Sequence, residues 1–236
     1  MNTETSMLPP GQSRLAGFLL GLQNSIKRLG ITVAIGTLGL YFLSPHLFKF
    51  LQDYLHQDLS FFTVAEPFMA HIKLSLGVCL VILMPWIIFI VWRALSQPFG
   101  IDKKTLVQYV FYTCLLFYAG AIFCYLVTLP FGINFLLGFR SEQLQPVISI
   151  DKFVTFIAMF IISFGVIFEL PVFMVFTNKS GLISRESFER NRRYAILAIA
   201  IVAALLTPTP DVINMALMGG PLYILYELGI LILKRK

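Results

Sequence analysis

The stretch FGVIFELP, residues 164–171, sets one carboxylate, Glu169, inside an apolar run that covers residues 153–176. An acidic side chain at the centre of a membrane-spanning helix costs roughly 2.5 to 3.5 kcal/mol on insertion scales, so an acid at that depth is by default a functional group. Two positions later stands Pro171. Its ring removes a backbone donor and crowds the carbonyl one turn back, which predicts a kink beside the acid. A long apolar helix that is bent and carries a charge belongs in a bilayer, with a reason to keep the charge there.

The rest of the composition agrees. With 58% hydrophobic residues, 13% charged residues and a mean hydropathy of +0.82 over 236 positions, the chain is too apolar for a soluble protein and reads as an all-α integral membrane protein. Residues 1–13 are polar and contain proline, without the pattern of a cleaved signal, so the first span is expected to act as its own anchor. Cys79, Cys114 and Cys124 lie in apolar runs at no metal-like spacing and read as buried free thiols. The net charge of +6 matters here through its distribution across the membrane, not as a nucleic-acid signal.

Apolar runs at 29–43, 72–92, 106–129, 153–176, 194–206 and 212–233 predict six transmembrane helices in one membrane domain, 1–236. Ahead of them Leu15, Phe18, Leu19, Leu22 and Ile26 recur on one face, which predicts an amphipathic helix over 14–28. Ser44 and Pro45 stop the first span, and residues 46–71 are expected to form a structured external cap with short helices. Trp92 stands where an interfacial aromatic sits at the end of the second span. Ser184 is expected to cap a short helix through Glu189. The fifth run of thirteen residues reaches only about 20 Å, against about 30 Å of hydrocarbon. The breaker Thr207-Pro208-Thr209-Pro210-Asp211 then turns the chain into the sixth run, which carries Glu227.

Six spans place both termini on one side. That side holds fourteen of the eighteen Lys and Arg residues, and only Lys49, Lys73, Arg140 and Lys152 fall opposite, so both termini are expected in the cytoplasm. No Ser or Cys stands beside a base, His46, His56 and His71 are dispersed, and no Gly-rich phosphate loop is present. The reading is therefore of a protein that is not an enzyme and uses no metal or other cofactor.

Short motifs fall in order along the chain. They are Glu66-Pro67-Phe68 with Ile72-Lys73-Leu74, then Pro85 and Val91-Trp92, then LLFYAG at 115–120. Phe164-Gly165 and Phe168-Glu169-Leu170-Pro171 follow, with Leu206-Thr207-Pro208, Pro210-Asp211 and Tyr226-Glu227-Leu228-Gly229 after them. Together they resemble the TatC family, a subunit of the Sec-independent (twin-arginine) protein translocase, over essentially all of the chain after residue 12.

The resemblance implies a glove-like, six-span receptor in the bacterial inner (cytoplasmic) membrane. It implies binding of the twin-arginine signal peptides of folded precursors and assembly with TatB-type and TatA-type single-span partners. The complex would be a hetero-oligomer with several TatC copies, in contact with lipid, free of nucleic acid and driven by the proton-motive force. A diarginine signal calls for carboxylates near the interface, because guanidinium-to-carboxylate contacts are charge-assisted and often bidentate.

Of the family's two recognition acids, the second aligns with Asp102, followed by Lys103 and Lys104; the first aligns with Gly21, with Leu19, Gln23 and Ser25 around it. Either Asp102 acts alone, a partner supplies the missing charge, or the chain is an export-incompetent paralogue. Glu169, Pro171 and Glu227 are the implied intramembrane, partner-facing residues, and Glu66, Pro67 and Asp211 the implied periplasmic cap. Two other readings stay open. In one, Glu169 and Glu227 are carriers of an ion- or proton-coupled secondary transporter; in the other, Glu169 pairs with Asn214 and is purely architectural.

Overall fold

A computed structural model of the chain describes residues 10–55, 59–138, 148–206 and 212–234. The described chain is helical apart from turns and two two-residue strands. In order, α1 spans Pro10–Tyr41, α2 Ser44–Leu55, β1 Leu59–Ser60, α3 Ala65–Phe99 and α4 Lys103–Phe123. A π-helical segment, Cys124–Thr128, joins α4 to α5, Leu129–Leu137. Then come β2 (Ile148–Ser149), α6 (Ile150–Phe168), α7 (Leu170–Lys179), α8 (Arg185–Arg190), α9 (Arg192–Leu206) and α10 (Val212–Lys234). The strands pair in parallel, Leu59 opposite Ile148.

Among the described residues three stretches are long and apolar enough to cross a bilayer: Ala65–Ser96, Lys103–Asn134 and Ile150–Lys179. A fourth arises if Ile26–Tyr41 and Ser44–Leu51, bent by 71°, make one span. That bend falls at Phe42-Leu43, immediately before Ser44-Pro45 where the sequence predicts a stop, and α2 is a short helix of the kind expected over residues 46–71. The amphipathic segment and the first span form one continuous helix, α1, because nothing between residues 14 and 41 caps or breaks it and each added residue extends an existing helix. The third span also runs on past its expected end at Leu129. Pro130 crowds the carbonyl of Leu126, and the backbone widens just before it, with the Leu129 N–H reaching the carbonyl of Cys124.

The contacts divide the chain into two compact units. The first holds α1, the start of α2, residues 71–99 of α3 and the first half of α4. Trp92 is packed inside this unit, not displayed at an interface: its Nε1–H donates to Thr113 Oγ1 at 3.0 Å and its ring stacks on Tyr109 at 4.5 Å. An indole with a partner for its one donor is free to bury the rest of its surface. Ser44, also buried, donates to the Tyr41 carbonyl at 2.7 Å and lies 2.7 Å from His71 Nδ1, which fixes the turn between α1 and α2 against α3.

The second unit holds residues 50–70 and everything from Leu115 onward. One core gathers Leu129, Ile157, Phe160, Phe164 and Met218; another joins Met174, Ile199, Leu222, Tyr226 and Ile230. Ser184 caps α8 by accepting from the Ser187 N–H at 3.3 Å, as the sequence predicts. The backbone N–H of Glu186 and the Ser184 hydroxyl hold the exposed Glu186 carboxyl below its ordinary range. Cys79 and Cys124 are buried as expected and Cys114 is half-buried, and none of the three is in a disulfide.

Candidate functional site at the helix break beside Glu169

The helix carrying Glu169 is positioned by two glycines. Gly120 of α4 lies so close to α6 that a Cβ there would stand 2.7 Å from the carbonyl oxygen of Phe164, and a Cβ on Gly165 would stand 2.6 Å from Cδ2 of Phe117. Each glycine thus accommodates the other helix at one crossing, the small-residue contact on which helix association in lipid depends. Beyond it the regular hydrogen bonding stops. Pro171 has no N–H to offer, and the Glu169 N–H turns to the carbonyl of Val166 at 3.1 Å. The kink expected beside Glu169 is an interruption at Glu169 itself, between α6 and α7.

The carboxyl is half-buried. It borders a cavity of about 450 Å³ walled by Val166, Leu170 and Phe173 on its own span, Ile199 and Val202 of α9, and Leu222 of α10. Tyr226 is the other polar residue in the lining, and its hydroxyl donates to the carbonyl of Phe188 at 2.8 Å. Among the described residues no side chain hydrogen-bonds or ion-pairs with Glu169; the Asn214 side chain expected as an alternative partner lies outside them. A carboxyl in apolar surroundings with no side-chain partner among the described residues keeps acceptor capacity in reserve, and low dielectric strengthens any hydrogen bond it makes. Pro171 packs where α10 comes closest: a Cβ on Gly229 would lie 3.6 Å from Pro171 Cα.

Glu227 is a different kind of acid. Its Oε2 lies 3.1 Å from Arg192 Nη2 of α9, and its Oε1 accepts from the Tyr223 hydroxyl at 3.1 Å. Both carboxylate oxygens are engaged within the chain, and no hydrogen-bonded path links Glu227 to Glu169 among the described residues. The Tyr223–Glu227 spacing of four was legible as one helical turn; the Arg192 partner, from another helix, was not.

The link between α3 and α4 is exposed at Asp102, Lys103 and Lys104. Gly100 takes φ +60 to end α3, with the Ile101 N–H returning to the carbonyl of Ser96 at 3.1 Å. Asp102 caps α4, its Oδ2 accepting from the Lys104 N–H at 3.3 Å. Leu19, Gly21 and Gln23 lie on α1, their side chains outside the description. In the segment expected to form the cap, Glu66 Oε2 accepts from the Phe62 N–H at 3.1 Å and from the Ser149 hydroxyl at 3.2 Å. Pro67 sits in the first turn of α3, where its missing N–H is harmless. Asp211 lies outside the described residues.

A helical chain whose described residues include three or four bilayer-length stretches, with an acid set in a helix break among apolar side chains, is a membrane-embedded protein of the transport class. Residues 17–221 match the family of the Sec-independent protein translocase protein (TatC). The Sec-independent protein translocase protein TatC of Helicobacter pylori (strain J99) is 36% identical over 217 residues, covering 90% of this chain and 87% of its own. Its counterpart in Carboxydothermus hydrogenoformans is 36% identical over 181 residues, 76% of this chain and 74% of its own. The crystal structure of a twin-arginine translocase receptor, TatC, in DDM aligns with a TM-score of 0.79 and 29% identity over 91% of this chain and 98% of that one. The chain belongs to the TatC family: it is a non-enzymatic component of a protein translocase.

Proposed function

We propose that the chain is the receptor core of a twin-arginine translocase in a bacterial inner membrane. It binds the twin-arginine signal peptides of folded precursors and nucleates TatB-type and TatA-type single-span partners for export driven by the proton-motive force. The observation that carries this reading is the similarity to the twin-arginine translocase receptor structure over 91% of the chain. The excess of Lys and Arg on one side, fourteen of eighteen, supports six spans with both termini in the cytoplasm. The cavity at Glu169 supports a partner helix docking between α7, α9 and α10.

Export of a twin-arginine reporter in cells lacking their own TatC tests the reading. The chain is expected to restore export. If export fails with Gly21 and returns with Gly21→Glu, the N-terminal half of the recognition site is degenerate; failure of both chains, at normal accumulation, overturns the proposal.

Asp102 provides a finer test, because its capping and its charge can be separated. Asn caps a helix about as well as Asp but cannot form a charge-assisted contact with a guanidinium, worth roughly 1.5–3 kcal/mol. Crosslinking of a twin-arginine peptide to the link is therefore expected to fall at least about tenfold in Asp102→Asn, with helix content unchanged. Undiminished crosslinking in Asp102→Asn removes Asp102 from the site.

A further inference from the structure

Residues 61–69, at the head of α3, expose Phe61, Phe62, Val64, Phe68 and Met69, with Val64 94% exposed. Patches of this kind mark an interaction surface when they are contiguous. Glu66 is the only charged residue between Leu59 and Ala70, and it is turned back into the fold. Its Oε2 accepts from the Phe62 N–H at 3.1 Å and from the Ser149 hydroxyl at 3.2 Å. Its own N–H reaches the carbonyl of Thr63 at 3.1 Å. The turn thus satisfies the backbone donors of Phe62 and Glu66 from inside and presents a mainly apolar surface outside, with Thr63 the one uncharged polar side chain exposed on it.

The same residues begin a stretch, Ala65–Ser96, that is long and apolar enough to cross a bilayer. Irregular backbone does not enter the hydrocarbon exposed to lipid, but at its boundary a turn with satisfied polar groups is tolerated. We infer that residues 61–69 insert their side chains into the interfacial layer of the bilayer at this end of α3, and that phospholipid acyl chains cover them. A protein interface surrounds its aromatic anchors with polar partners. The exposed members here are Phe61, Phe62, Val64, Phe68 and Met69 with Thr63 and Ala65 between them; none is charged, and they run on into the surface of the span. The inference rests on membrane embedding and not on the translocase reading, so each can fail without the other.

A genetically encoded fluorescent side chain at position 64 of the full chain, reconstituted in phosphatidylethanolamine and phosphatidylglycerol vesicles, provides the test. Quenching is measured with lipid brominated near the headgroup and with iodide on both faces. Strong quenching by the brominated lipid and loss of iodide quenching are expected. Phe61→Ser with Phe62→Ser, checked for unchanged helix content, should restore iodide access. Full iodide quenching of the parent chain in vesicles overturns the inference. Shielding from iodide without quenching by brominated lipid also overturns it, because a protein surface, including a second copy, then covers the patch.

Discussion

Gly120→Leu and Gly165→Leu are expected to abolish accumulation of the folded chain. Overpacking a tight interior costs about 1–3 kcal/mol for small additions and more where backbone must move. At Gly120 the obstacle is backbone, with the carbonyl oxygen of Phe164 2.7 Å from the position of a Cβ and Phe168 Cγ as close. At Gly165 it is the ring of Phe117, which has no exposed surface to retreat into. Water gives no compensating drive, because helices in lipid associate through packing and hydrogen bonding and not through the hydrophobic effect.

Even alanine should cost about 1–3 kcal/mol at either site, a fall of several degrees in the melting temperature of the purified chain. Gly229→Ala is the control. The atom nearest its Cβ is Met174 Sδ, at 2.5 Å, in a flexible thioether side chain that yields at little cost. Equal melting temperatures for Gly120→Ala and Gly229→Ala would show that the crossing of α4 and α6 tolerates a methyl group.

Glu169→Leu is expected to separate stability from function. The carboxyl borders an apolar cavity and has no partner among the described residues, so its removal relieves the insertion cost of roughly 2.5 to 3.5 kcal/mol without breaking an internal bond. The variant should accumulate normally and melt no lower than the parent, yet lose reporter export, because the incoming helix no longer finds an acceptor. Glu169→Gln keeps the shape and a hydrogen-bonding carbonyl and should retain part of the activity. Undiminished export in Glu169→Leu would show that the carboxyl meets no partner. A melting temperature several degrees lower would instead reveal an internal partner and an architectural role.

Much of the fold was legible because its causes are local. Proline acts on the carbonyl one turn back, so the break at Glu169 and the bend just before Ser44-Pro45 follow from the residues around them. Ser184 followed by Ser187 marks a helix start for the same reason. The amphipathic and spanning segments run on as one helix, α1, because they differ in their surroundings and not in backbone propensity. Trp92 was misplaced because its partner, Thr113, comes from the next helix.

The sequence by itself determined that the chain lives in a bilayer, where its helices break, and that an acid sits beside one break, since each depends on composition or on neighbours within a turn. Only the tertiary structure decided which acid is paired among the described residues. Glu169 and Glu227 look alike along the chain, two carboxylates in apolar helices. Arg192 reaches Glu227 across the α9–α10 contact, whereas the cavity beside Glu169 is lined, apart from Tyr226, by apolar residues of its own span, α9 and α10. A charge is satisfied by what the fold brings within about 4 Å of it, and which side chains those are is set by helix packing, not by sequence distance.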